Sequence, residues 1–263
     1  MSVVPHPEGS RYFVQSLAKG LDVLASFDAD HARQTLSEVA RRSGMTRASA
    51  RRFLLTWVDL GFIEHVGDRF TLRPTVMEIG RAYLSMLTLP DVAEPHMRVL
   101  AASIGAPVGL TVLDGLDGYV VVHSQPGRAV QNFVHVGERT SALSTASGRC
   151  MLAQLPDDEL GDLTTGVEIA ALTPRTNRDL RDVLVKVRDS RRAGYAIVTD
   201  EFRIGITSLA IPVYAGRGNH PSALTVSVRG GPTTHDELIS TLLPRMQLAA
   251  HAIEADYTRA MKH

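Results

Sequence analysis

The stretch Thr35–Leu72 constrains this chain more than any other. Thr35-Leu36-Ser37-Glu38 has the form of a capping box, in which the threonine hydroxyl takes the amide at the glutamate and the glutamate reaches back. Val39, Ala40 and Arg42 continue a short helix, and Gly44 suits the left-handed residue that ends one. Thr46 can cap a second helix running to about Leu60. Two helices joined by so short a turn must cross steeply, as in a helix-turn-helix.

At 100° per residue, Ala50, Phe53, Leu54, Trp57 and Leu60 share the inward side of that second helix. Arg51, Arg52 and Ala48 fall opposite, with Arg47 on the flank. Arginines 41, 42, 47, 51 and 52 lie between Glu38 and Asp59 with no acid among them. Recognition helices touch base edges through their N-terminal residues, so Thr46, Arg47, Ala48, Ser49, Arg51 and Arg52 are the candidate contacts to a double-stranded DNA operator. Phe62–Val66, Gly67-Asp68 and Arg69–Leu72 then read as a two-residue hairpin, a wing with Arg69 near its tip. The competing reading is a three-helix core with a solvated basic face. Tight turn, arginine placement and hairpin together favour DNA.

The rest of the composition agrees with one local basic surface. Basic and acidic residues balance at 28 each, so the chain is no general nucleic-acid coat. Its single cysteine, Cys150, allows no intrachain disulfide and points to a reducing interior. No apolar run approaches the ~20 residues of a membrane span. Met1–Ser10 has no signal-peptide core. A soluble cytoplasmic protein with a disordered tip over 1–10 is expected.

Along the chain, Ser16 can cap a first helix with Leu17, Leu21 and Leu24 on one face and Phe27 closing it. Residues 11–74 form the small domain. Pro74 opens a helix with an apolar stripe of Val76, Ile79, Tyr83, Met86 and Leu87, and Pro90 stops it. That segment, 75–90, reads as a linker helix whose stripe suits a second copy of the protein, giving a homodimer or a dimer of dimers. Residues 91–263 form the larger domain. A helix from Asp91 to Gly105 leads into strands Val108–Leu113, Tyr119–Ser124 and Val130–Val136. A helix spans Ser144–Leu155, and Asn177 can cap another that Gly194 ends. Strands Tyr195–Thr199, Ser208–Tyr214 and Ala223–Arg229 follow, and Thr234 opens a C-terminal helix. Helices beside one antiparallel sheet make an α+β domain.

Little in this domain points to catalysis. There is no glycine-rich phosphate loop, and no histidine pair has supported metal-ligand spacing, so neither cofactor nor metal is expected. A thiol enzyme built on Cys150, with His123 and His135 upstream, is conceivable, but a lone helical cysteine is more often a small core residue. A binding pocket is better supported. The start of the Ser144 helix is rich in small residues, and a helix start presents unpaired N–H groups suited to a carboxylate, here at Ala146 and Ser147. Close packing would use the same small residues. Ser208, Thr225 and Ser227 add hydroxyls to otherwise apolar strands, and buried hydroxyls need partners. Val134 and Ile206 could form an apolar wall. The effector would be a small carboxylic acid. A second domain that only oligomerises is the alternative.

The segments Val14–Leu24, Leu36–Gly44, Leu60-Gly61-Phe62, Thr145–Ala153 and Ile204–Ala210 resemble the IclR family of bacterial transcriptional regulators over nearly the whole chain. Thr46–Leu54 and Tyr83–Pro90 are similar to the branch that controls aromatic-acid degradation through the β-ketoadipate pathway. The resemblance implies a winged helix-turn-helix, a linker helix, a GAF-like effector domain, and dimers or tetramers. It implies effectors such as protocatechuate, 4-hydroxybenzoate or β-ketoadipate, held at Ala146, Ser147, Ser208, Thr225 and Ser227. The family's acid before the Ile204-Gly205 turn is carried over to Asp200, although it is displaced here. Ser208 stands where the family often has cysteine.

Overall fold

The structure is a computed structural model and describes residues 12–84, 88–127, 134–214, 220–229 and 235–261, with backbone only for 81–84 and 88. The chain divides into two compact units, residues 1–86 and 87–263. The expected disordered tip lies outside the described residues.

In the first unit, α1 (Gln15–Ala25) precedes a short strand β1 (Arg33–Thr35), α2 (Leu36–Arg42), α3 (Arg47–Asp59) and the hairpin β2 (Ile63–Val66) and β3 (Arg69–Leu72). The caps expected at Thr35 and Thr46 depend on local chemistry and agree with the geometry. Thr35 and Glu38 form the reciprocal box, and Thr46 accepts the Ser49 amide at 3.2 Å. Gly44, at φ +67°, turns the chain between α2 and α3 where a side chain would be strained. Val23, Phe27, Val39, Leu54, Ile63 and Phe70 make the core, with Phe53 and Trp57 partly buried against it.

Several expectations need correction here. The first helix begins at Gln15 after Val14, with no side-chain cap from Ser16. Its buried side is Ala18, Gly20 and Val23, while Leu17 is 63% exposed. Gly20 lies against the Trp57 ring, whose Nε1–H donates to the Gly20 carbonyl at 3.0 Å. Leu60 caps α3 and is 58% exposed, so the inward stripe ends at Trp57. Strand β1 has no local signature because its pairing to β3 joins residues 34 to 38 apart (Arg33 opposite Thr71, Thr35 opposite Arg69), giving the sheet order β1-β3-β2.

The predicted linker helix over 75–90 is not one continuous element. Pro74–Val76 is a 3-10 turn, and α4 covers Met77–Leu84. A new helix, α5 (Thr88–Ile104), then contains Pro90 in its first turn. Proline does not stop a helix there, because the N–H it lacks would have no intrahelical partner. The Tyr83 side chain, Met86 and Leu87 lie outside the described residues.

The second unit is built on a six-stranded antiparallel sheet of order β6-β5-β4-β9-β8-β7. Its strands are β4 (Val108–Asp114), β5 (Asp117–Ser124), β6 (Arg139–Ser141), β7 (Ala196–Thr199), β8 (Ile206–Val213) and β9 (Ser222–Arg229). The strand expected at Val130–Val136 falls partly outside the described residues, and Val134–Val136 is not extended sheet. Alternation gives the sheet two different faces. Val108, Leu110, Leu209, Ile211, Leu224 and Val226 face α5 and the C-terminal helix α9 (His235–Ala260) in one core. The predicted cap of α9, Thr234, lies outside the described residues. On the other face Val198, Ala210 and Ala223 meet α6 (Ala146–Leu152), α7 (Asp157–Thr164) and α8 (Leu180–Ala193). Helix α8 is capped by Asp179, which accepts the Arg181 and Asp182 amides, and not by Asn177.

Candidate functional site

Two surfaces carry the chemistry, one in each unit. On α3, Thr46, Arg47, Ala48, Arg51 and Arg52 are exposed, and Ser49, whose amide donates to the Thr46 cap, is half-buried. The arginines of this region divide by their partners. Arg42 is engaged structurally, pairing with Asp28 at 2.5 Å and donating to the Ser26 carbonyl. Arg69 on the wing is exposed, donates to the Arg33 carbonyl and stands 4.0 Å from Glu38. Among the described residues, Arg47, Arg51 and Arg52 have no ion pair. Three cations projecting from one helix, with no acid to neutralise them, are suited to a polyanion. Gly67, at φ +64°, makes the wing turn.

In the second unit a cavity opens between the sheet face and α6, enclosing about 710 Å³ of empty space with its mouth included. Ala146, Ser147, Val134, Asp200, Ile206, Ser208, Thr225 and Ser227 all border it. So do residues the sequence reading had not assigned: Gly109, Thr111, His123, Thr145, Glu201, Phe202 and Arg203 among them. An isolated glycine within a strand pattern was the available signal for Gly109. For His123 the sequence offers only its position upstream of Cys150, and the cavity gives it a different setting.

Helix α6 is shorter than the predicted Ser144–Leu155 and is capped by Thr145, whose hydroxyl accepts the Gly148 amide at 3.1 Å. No acceptor for the Ala146 and Ser147 amides occurs among the described residues, as helix starts require unless a ligand intervenes. Gly148 has a packing reason: a Cβ there would lie 2.2 Å from the Ala142 Cα. The small residues therefore serve close packing as well as an open helix start.

The acids at the cavity are not free carboxylates. Asp200, left-handed at φ +64°, accepts the Gly205 amide at 2.6 Å and pairs with Arg175 at 2.7 Å. Buried Glu201 takes both guanidinium nitrogens of buried Arg149, at 3.0 and 2.6 Å, and also accepts the Asn177 amide. At the mouth, Arg203 donates to Glu138 at 2.9 Å. Burial, reinforced by nearby His135 and opposed by Glu138, holds the His123 pKa below its usual value, so its ring favours the neutral form.

The hydroxyl argument also needs correction. Ser208 and Ser227 face each other across β8 and β9 at 2.9 Å and satisfy one another. Thr225 Oγ1, in contrast, is buried without a partner among the described residues. The thiol is a core group: Cys150 donates to the Ala210 carbonyl, and burial pushes its pKa up to about 12, only partly offset by the Ala196 backbone. At that value it is no thiolate nucleophile.

Comparison with known proteins follows these two surfaces. Residues 16–67 match the IclR helix-turn-helix domain, and residues 81–255 match the bacterial transcriptional regulator IclR C-terminal domain. The chain is 30% identical to the Pca operon regulatory protein of Acinetobacter baylyi, over 92% of this chain and 88% of that protein. It is 28% identical to the p-hydroxybenzoate hydroxylase transcriptional activator of the same organism, covering 94% and 95%. A crystal structure from Rhodococcus sp. RHA1, described as a transcriptional regulator, shares 36% identity with a TM-score of 0.80, over 94% of this chain and 100% of that one. An IclR homolog from Microbacterium hydrocarbonoxydans complexed with 4-hydroxybenzoate shares the fold, at 22% identity and a TM-score of 0.75, over 93% and 99%. The chain therefore belongs to the IclR family of bacterial transcriptional regulators.

Proposed function

We propose that this regulator reads an operator through α3 and the wing, and that a small carboxylic acid in the second unit's cavity changes that reading. Arg47, Arg51 and Arg52 contact the DNA, flanked by Thr46, Ala48 and Ser49, with Arg69 assisting from the wing. The observation that carries the DNA reading is the set of exposed, unpaired arginines on a helix capped at its N-terminus. The acid is aromatic or a product of aromatic ring cleavage, in keeping with the aromatic-acid regulators to which the chain is similar. Its carboxylate meets the Ala146 and Ser147 amides, and Ser208, Thr225 and Ser227 orient its other oxygens. Val134 and Ile206 provide the apolar wall, and Asp200 shapes the rim through its bonds to Gly205 and Arg175. The protein acts in the cytoplasm as a homodimer or dimer of dimers, matching operator half-sites spaced by its symmetry.

Two measurements test this. Alanine at Arg47, Arg51 and Arg52 together should abolish operator binding in gel shifts. Each lost phosphate contact should lower the salt slope by about 1, and each lost bidentate guanine contact should cost about 1–3 kcal/mol. Unchanged affinity would move the interface off α3. For the acid, calorimetry on the full chain with benzoate and 4-hydroxybenzoate should detect binding. A Ser208→Ala, Thr225→Val, Ser227→Ala triple variant should bind more weakly with unaltered folding. Equal affinity in both proteins would remove the site from this cavity.

A further inference from the structure

The sheet face under the cavity contains a gap with a polar group on each side. In the register of the sheet, His123 on β5 stands opposite Gly109 on β4, and Gly109 stands opposite Thr225 on β9. The three make one row across three strands, and all three border the cavity. Gly109 is buried in a central strand, yet a Cβ built on it would meet nothing within 4 Å among the described residues. By comparison, a Cβ on Gly118, in the neighbouring strand, would lie 2.9 Å from the Thr111 side chain. Space above a buried strand glycine is space for something else to approach the backbone. Two strand steps of ~4.8 Å leave about 10 Å between the backbones of His123 and Thr225, a width that takes the edge of a flat ring.

We propose that the row His123–Gly109–Thr225 is a hydroxyl-reading subsite, which selects ring acids carrying a hydroxyl over the same acids without one. This rests on the acid reading above and adds to it the group that discriminates among acids. The ring lies over Gly109. His123 is half-buried and favours its neutral form, so one ring nitrogen is open to accept a hydroxyl proton. Thr225 Oγ1 is buried and lacks any partner among the described residues, and Thr225 borders the cavity. A ligand hydroxyl between these groups supplies the missing partner, whereas an unsubstituted ring leaves the buried oxygen unsatisfied.

The test is a ratio measured on the full-length protein by calorimetry: affinity for 4-hydroxybenzoate over affinity for benzoate. One hydrogen bond of ordinary strength makes the wild-type ratio roughly three- to tenfold. His123→Phe should bring the ratio to near one, and His123→Gln, which keeps an acceptor, should retain part of the preference. If His123→Phe does not fold, Thr225→Val reads the same ratio. Gly109→Val, a better strand former, should fold and lose both ring acids because it fills the gap. A preference that survives His123→Phe and Thr225→Val, or a wild-type ratio of one, overturns the subsite alone. Failure of the wild type to bind either acid is a different result and overturns the acid reading along with it.

Discussion

Helices α3 and α6 are written in nearly the same local language and end in opposite surroundings. Each begins after a threonine cap: Thr46 accepts the Ser49 amide, and Thr145 accepts the Gly148 amide. Each carries small residues and arginine in its first turns. On α3 the arginines are exposed, and Arg47, Arg51 and Arg52 find no acid among the described residues. On α6 every residue is buried, and Arg149, 2% exposed, is locked to Glu201. An arginine on a capped helix therefore has no fixed role. Whether a carboxylate awaits it elsewhere in the fold decides between a surface for polyanions and an internal strut.

Substitutions at matched positions would sharpen or break that contrast. The largest effect should come from Arg149→Met. Removing one member of a buried pair leaves Glu201 charged and uncompensated, at a cost of about 3–5 kcal/mol in urea unfolding. A loss under about 1 kcal/mol would mean that the pair is not a strut. The double variant Arg149→Met, Glu201→Leu should recover much of the loss, because hydrophobic replacement of a whole buried pair is often neutral. Next is Gly148→Ala, which pushes a methyl into the Ala142 backbone and should cost about 1–3 kcal/mol or more, with a lower melting temperature. Thr46→Ala removes the cap of α3 and should cost about 1 kcal/mol, less than either α6 substitution but more than Arg51→Ala, visible as a small drop in the urea midpoint. Arg51→Ala on the same helix should change unfolding stability by no more than about 0.5 kcal/mol while weakening operator binding. A stability loss as large as that at Arg149 would erase the distinction between the two helices.

What the sequence made legible follows the same division. The Thr35 box, the Thr46 cap, Gly44 and the Gly67 turn depend on neighbours within a few residues, and each could be read from its own window. The hydroxyls of Thr225 and Ser227 could be put on one sheet face by alternation alone, whereas Ser208 joins them only through the pairing of β8 with β9. The Arg149–Glu201 pair joins residues 52 apart, and strand β1 pairs across 34 to 38, so no local pattern announces either. Leu17 and Leu60 were read as buried because a helical stripe gives a direction without saying how far the covering surface extends. Pro90 was read as a stop because the sequence does not reveal that a new helix begins two residues before it.

The hydrogen bond between Ser208 and Ser227 has a consequence for how the cavity can respond. One bond at 2.9 Å joins these two oxygens and uses one O–H and one lone pair, so the second O–H and the remaining lone pairs stay open. A group that reaches the pair can therefore join it without dismantling it, accepting the spare O–H or donating to a spare lone pair. Because either serine can be the donor, the pair can reverse its direction to suit an acceptor or a donor. Two hydroxyls coupled in this way adapt to the polarity of what arrives, where a lone amide or carboxylate would accept only one kind of partner.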